Sequence, residues 1–340
     1  LHLCDRRQRQ MCIRDRYNIT QSEIGSVQSI SETQDNEVVF HCNGYIYKLN
    51  ENGTLEWKIS GASNIAILPN GNIVTIADST LKILNSSGSE VLNTKLSSNF
   101  NFITTSLDNC IYLAGGKIIA KYDENGKKIW QRSIDFNITT IATYSDGSVV
   151  VGTISPAYLI KYDKDGKYQW HKNYSYTDGI GFTGITYYDN SLYVVGSKKI
   201  LPEETTDSDD RDTTNTDGLF IKYDLDGNIV FEKCFGGKNY ERYNSILAYG
   251  DYLYVIGHTT SKDIGLKIDT DGELMTGILL RYDKNGNITK KEAFGGSNND
   301  NLTSITTDGV SLYISGYSNS NDGNIITSVS YTHLTLPTIA

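Results

Sequence analysis

Short runs of alternating apolar and polar residues recur along the chain, and none of them extends far. "NSLYVVGS" (190–197), "DYLYVIGH" (251–258) and "VSLYISGY" (310–317) each place apolar side chains at every second position. Each follows another such run, "TGITYYD" (183–189), "NSILAYG" (244–250) and "TSITTDG" (303–309). A period of two, with Val, Ile, Tyr and Thr enriched and Gly, Asn or Asp at the ends, predicts paired strands joined by tight turns. No stretch sustains the 3.6-residue period of an amphipathic helix.

Two further strands follow each pair, around a recurring turn: "YKLNENGTLEW", "LKILNSSGSEVL", "AKYDENGKKIW", "IKYDKDGKYQW", "IKYDLDGNIVF" and "LRYDKNGNITK". Their glycines, Gly53, Gly88, Gly126, Gly166, Gly227 and Gly286, supply the positive φ of a hairpin turn between the third and fourth strands, C and D. The glycines are 35, 38, 40, 61 and 59 residues apart. A four-stranded unit of about 40 residues, repeated, predicts an all-β propeller of antiparallel blades. The expected blades are 25–60, 61–96, 97–134, 135–174, 175–237 and 238–296, with a seventh, 297–328, ending before its third strand. A β-solenoid needs shorter coils and lacks such hairpins.

Repetition also sorts residues. Trp57, Trp130 and Trp170 all sit four positions after a turn glycine, a slot that Leu92, Phe231 and Lys290 fill elsewhere. A position filled in most blades is expected to build the scaffold by packing blade against blade. A cation precedes most turns (Lys48, Lys121, Lys161, Lys222, Arg281, with Ile83 the exception), and is expected to pair locally with an acidic turn residue or lie along the sheet.

The two ends stand outside this grammar. "RRQRQMCIRD" (6–15) and "VSYTHLTLPT" (329–338) can be written with codons that are reverse complements of one another, so the pair resembles translated sequencing-adapter DNA. Segments 1–16 and 329–340 are therefore expected to be artefactual, the first of them disordered, leaving one propeller domain over 17–328. Whole-chain charge is −9, from 31 basic and 40 acidic residues; without the five arginines and two aspartates of 1–16 it becomes −12. That balance disfavours nucleic acid and anionic membrane as partners. No apolar run approaches the roughly 18–20 residues that span a bilayer. Of five cysteines, Cys42, Cys110 and Cys234 lie outside the ends, without the spacing of a metal site or disulfide framework.

Over roughly 25–328 the repeats resemble bacterial β-propeller repeat proteins whose blades end in "GG" plus an acidic segment, here "CFGGKNYERYNSI" and "AFGGSNNDNLTSI". "ENGTLEW" and "ENGKKIW" resemble quinoprotein-like repeats, and "LAGGKIIAKYDENGKKIW" is similar to a kelch unit. The resemblance implies a seven-bladed propeller, exported or at the cell surface, and no particular activity. A sialidase-type Asp box fails, because Asp123, Gly126 and Trp130 are each spaced one residue too widely.

Candidate chemistry is sparse. His41, His171 and His258 lie in different blades without metal-ligand spacing, no nucleophile elbow occurs, and "GGK" (236–238) is too short to cradle phosphate. The informative departures are the lengthened B–C connections of the fifth and sixth blades, 198–218 and 259–277. Antiparallel strands put B–C and D–A connections on one face of the propeller, where loops on a rigid scaffold concentrate binding residues. Tyr174, Tyr176, Tyr240, Arg242, Tyr243 and Asp300 are the ligand-binding candidates there, as aromatic and polar anchors. Asp300 and Glu241 each lie four residues after a "GG", which also suits a turn cap. Asp207, Asp209, Asp210, Asp212 and Asp217 form an oxygen-rich loop suited to calcium, although the EF-hand order fails at Thr213; otherwise no cofactor is expected. The expected function is a non-catalytic binding module recognising protein or glycan through this face. The alternatives are a hydrolase, lyase or quinone-dependent oxidoreductase working in the central funnel around Ser29, Thr105, Thr186 and Ser245, and an envelope assembly scaffold.

Overall fold

A computed structural model describes residues 13–17, 27–33, 37–50, 54–175, 181–199, 216–268, 274–309, 311–320, 322 and 331–335. All its named elements are strands, and they form four-stranded antiparallel sheets: the molecule is an all-β propeller. Six blades take four consecutive strands each, within 27–60, 64–95, 102–133, 138–175, 181–235 and 241–294. A further sheet begins with Asp300–Thr307 and Ser311–Ser318, continues with Tyr331–Thr335 and ends on Ile13–Tyr17. Its two outer strands thus fall in the terminal segments, beyond the repeat as read from sequence.

The C–D turns follow from their asparagines and aspartates. Asp123 Oδ1 accepts the amides of Asn125 (3.0 Å) and Lys127 (2.8 Å), and Gly126 N donates to Asp123 O (3.0 Å) at φ 73°. Asp163, Asp224 and Asp283 repeat this arrangement. The same turns carry a bulge in the ladder, as at Lys121/Tyr122, which steepens the local twist.

These turns are also the joints between blades. A Cβ on Gly166 would lie 2.7 Å from Trp130 Cδ2 of the preceding blade; Gly88 meets Trp57, Gly126 meets Leu92, Gly227 meets Trp170 and Gly286 meets Phe231 in the same way. The aromatic slot and the turn glycine are two halves of one contact. Trp57 Nε1 donates to Ser86 O (3.2 Å) and Trp130 Nε1 to Lys164 O (3.0 Å), both carbonyls of the following blade's turn.

The strand-C cations meet local acids and lie over the sheet as expected, and two of them also reach beyond their own blade. Lys48 and Lys121 are buried, and their ammonium groups reach across the joint to Ser86 O (3.0 Å) and Lys164 O (3.2 Å), the carbonyls the tryptophans use. Lys48 also meets Glu56 (3.1 Å) and Glu37. Lys121 and Lys222 lie over strand-B tyrosine rings, Tyr112 and Tyr193, at 5.1 and 5.3 Å. A buried ammonium needs every available acceptor, and the next turn supplies one that no residue nearby in sequence offers.

The first strands, A, surround the central channel and are tied side chain to backbone near their starts. Asn64 Nδ2 donates to Asn101 O (2.9 Å), Thr139 Oγ1 to Phe182 O (2.5 Å), Thr183 Oγ1 to Tyr243 O (2.7 Å), Asn244 Nδ2 to Leu302 O (2.7 Å) and Thr303 Oγ1 to Val27 O (2.6 Å). Small polar residues at this position satisfy carbonyls that the sheets leave unpaired.

Candidate binding face

Two loops dominate the face carrying the D–A and B–C connections. Each runs from a "GG" pair to the first residue of strand A, Glu241 or Asp300, and both acids are fully buried. Glu241 folds back on its own loop: Oε2 accepts Gly237 N (2.8 Å) and Oε1 accepts Thr259 Oγ1 (2.6 Å). Asp300 Oδ2 accepts Gly296 N (2.8 Å) and Ser320 Oγ (2.8 Å), and Oδ1 accepts Ser318 Oγ. A side chain on Gly236 would strike the carboxylates of Asp217 and Glu241, and one on Gly295 would strike Asp300. Both glycines are therefore required by the acids.

The remaining loop amides are met from the neighbouring B–C connection. Asp263 Oδ1 accepts Lys238 N (3.0 Å), Ser261 Oγ accepts Asn239 N (2.8 Å) and Thr260 Oγ1 accepts Tyr240 N (3.0 Å). In the next sheet Asp322 Oδ1 accepts Ser297 N (2.8 Å) and Ser320 Oγ accepts Asn298 N (2.9 Å). Sequence reasoning missed these partners, yet a signal exists. Thr259, Ser261 and Asp263 follow Glu241 by 18, 20 and 22 residues, and Ser318, Ser320 and Asp322 follow Asp300 by the same offsets.

The candidates separate on this frame. Tyr243 is fully buried, with its hydroxyl 2.7 Å from that of Tyr282, inside the apolar contact between two blades. Its place in strand Glu241–Tyr249 puts it on the same buried face as Glu241, within the core. Asp300 is likewise closed off by its own loop. Tyr174 packs against Phe182 at the junction of the fourth and fifth blades (5.9 Å, edge-on), and burial together with the Glu232 carboxylate pushes its phenol strongly up. Tyr176, Asp207, Asp209, Asp210 and Asp212 lie outside the described residues. Asp217 sits beside Glu241 rather than in an open loop. Among the described residues, no group of three or more His, Cys, Asp or Glu side chains is arranged to hold a metal ion.

Tyr240 and Arg242 do come together, with a residue read as bland from sequence. Tyr240 stacks on His258 (5.6 Å between ring centres, 22° between planes), and Arg242 pairs with His258 across the ladder. His258 Nδ1 lies 2.9 Å from Asn301 Oδ1, which also accepts Asn244 Nδ2 (2.8 Å). An amide oxygen can only accept, so Nδ1 carries the ring proton and the neutral ring keeps its lone pair on Nε2. Burial and the Arg242 guanidinium push His258 down to about 4, against the Asn301 bond.

That depression fixes a sign. Between about pH 6.5 and 4 the unfolded chain takes up a proton that the folded chain refuses, so stability falls as pH drops through this window. Urea unfolding at steps from pH 7 to 4 should show this slope, and His258→Asn should flatten it. A slope that the variant leaves unchanged would assign the effect elsewhere.

No protein-family model and no curated protein matches the sequence. Solved structures do match in fold, and they are propellers. Virginiamycin B lyase from Staphylococcus aureus superposes with a TM-score of 0.68 at 13% identity, covering 95% of this chain and 99% of that one. The Neurospora crassa Pan2 WD40 domain gives 0.64 at 8% identity, covering 93% and 90%. BamB from Moraxella catarrhalis gives 0.55 at 14% identity, covering 92% and 94%. Identities this low carry the fold alone, and the fold serves an enzyme as well as other proteins.

Proposed function

We propose that this propeller is a non-catalytic binding module of an exported or cell-surface protein, recognising protein or glycan through the face of the D–A and B–C loops. The observation that carries this reading is the internal bracing of the two "GG" loops. Buried carboxylates and B–C side chains hold successive backbone amides, so the loop backbone that carries Tyr240 and leads into Arg242 is held in place before binding, which lowers the ordering cost. The ring is proposed to have seven blades, because Thr303 Oγ1 and Ser304 Oγ on strand Asp300–Thr307 bond Val27 O (2.6 Å) and Ile30 N (3.3 Å) on the first blade.

Glycan and peptide arrays probed with the full chain test the reading. Ligands that bind should lose about tenfold or more in affinity in a Tyr240→Ala/Arg242→Ala variant, the loss of a small anchor cluster. Binding indifferent to both substitutions would overturn it. A second, enzymatic reading is favoured by one observation: neutral His258 keeps a lone pair beside a guanidinium, a base next to an anion-stabilising group. Turnover of an array ligand that His258→Asn abolishes, with binding retained, would establish that reading instead.

A further inference from the structure

The opposite mouth of the channel holds a cavity of about 590 Å³, within the size range of small-molecule sites. It lies where the strands Asn64–Ile67, Phe102–Thr105, Ile138–Thr143 and Gly181–Tyr188 end and their A–B turns begin, across four consecutive blades. It is a different place from the face described above, and its lining has a definite chemical character.

No acidic, basic or imidazole side chain lines it. An anion or cation entering it would be partly desolvated without a counter-charge. Asp108, the next residue after the lining segment 105–107, is not part of the lining; it takes the Ser106 hydroxyl (2.5 Å) and pairs with Lys121 (3.7 Å). Three hydroxyl protons of the lining are already committed, while the buried Tyr144 hydroxyl has no partner within the protein. Thr105 Oγ1 donates to Ile67 O (2.7 Å), Thr143 Oγ1 to Thr105 O (2.8 Å) and Tyr187 Oη to Asn190 Oδ1 (2.9 Å). Each of these three oxygens retains an acceptor lone pair and the Tyr144 hydroxyl keeps a free proton, so a ligand hydroxyl, which both donates and accepts, suits the lining. A purely apolar ligand would cover these acceptors and leave them unpaired.

The lining also carries apolar surface, from Ile67, Leu68, Pro69, Leu107 and the two tyrosine rings. Tyr187 packs against Tyr144 with ring centres 4.8 Å apart, and Leu107 stands at the lip with 76% of its surface exposed. Apolar wall and acceptor-bearing hydroxyls together suit a ring with one CH-rich face and several hydroxyl donors. We infer that this mouth is a second binding site, taking an uncharged, hydroxyl-bearing ring of the neutral-sugar class. The inference does not depend on the loop face opposite.

The test titrates the full chain with neutral disaccharides (cellobiose, maltose and chitobiose), with glucuronic acid and glucosamine as charged comparators, by calorimetry and tyrosine fluorescence. At least one neutral disaccharide should bind with a dissociation constant on the order of 1 mM, as befits a small ligand in an open site. Leu107→Asp, at an exposed position that leaves the core untouched, should weaken that binding at least about tenfold. Tyr187→Phe, which keeps the ring and removes one acceptor, should weaken it less than Tyr187→Ala, which should lose it, while Tyr240→Ala/Arg242→Ala should leave it unchanged. Three results would overturn the proposal: no neutral disaccharide binding, charged sugars binding as tightly, or binding insensitive to both Leu107→Asp and Tyr187→Ala.

Discussion

Trp130→Ala should lower stability by about 3–5 kcal/mol, the usual cost of emptying an aromatic site in a packed interior. Trp130 is 7% exposed, meets Tyr112 edge-on at 5.8 Å, donates to Lys164 O and covers the turn glycine of the next blade. Its loss removes apolar contact, a hydrogen bond and the cover of one inter-blade joint together. Trp170, in the same slot but half-buried, should cost less on replacement by alanine. Gly166→Ala should itself be destabilising by about 1–3 kcal/mol, because the new methyl meets the indole at 2.7 Å and the backbone sits at φ 76°. The two changes should be non-additive: removing the indole makes room for the methyl, so the double variant is more stable than the sum predicts. Denaturant midpoints for all four proteins measure this, and strict additivity would show that the two residues do not touch.

Glu241→Ala should be nearly as damaging, at about 2–4 kcal/mol, because it leaves the Gly237 amide and the Thr259 hydroxyl buried without an acceptor. Glu241→Gln should behave in the opposite way at neutral pH. Burial, followed by the repulsion of Asp217, raises the Glu241 carboxyl above its ordinary value, although hydrogen bonds from Ser261, Thr259 and Gly237 oppose the rise. A carboxyl raised on folding supports the native state most strongly below its unfolded pKa. That support is lost as pH climbs through the folded value. The amide carries no such charge, so Glu241→Gln should unfold with a flatter pH dependence above pH 4.5, and gain on the parent as pH rises. Unfolding midpoints from pH 4 to 8 measure this. A glutamine variant that loses stability in parallel with the alanine variant would show that the charged carboxylate is what the loop needs.

Much of the scaffold is legible in the sequence, since its signals are local. Two-residue alternation and an Asx-to-glycine turn require only neighbouring residues, and they specify strands and hairpins wherever they recur. The role of Lys48 and Lys121 is not local. Beside the nearby acids Glu37, Glu56 and Asp108, their carbonyl acceptors, Ser86 O and Lys164 O, lie 38 and 43 residues away in the next blade, where no local pattern points. Tyr243 misleads for another reason. "NYERYN" looks like an exposed polar loop, yet it is the start of a strand, and alternation sends Glu241 and Tyr243 inward and leaves Arg242 partly exposed. The cavity at the other mouth arises from four A–B turns that look ordinary one by one and become a site only as neighbours in a ring. The bracing of the "GG" loops lies between these extremes, being distant in sequence but betrayed by its repeated offsets.

The joint between blades has an evolutionary consequence. The first five repeats carry an indole or other apolar group that gives, and the second to sixth a glycine turn that receives it. A duplication or deletion among these repeats therefore leaves the surviving neighbours with matching halves. A gene for such a protein can lengthen or shorten by whole repeats without inventing a new interface, and its copy number answers to the geometry of the closed circle rather than to any single residue.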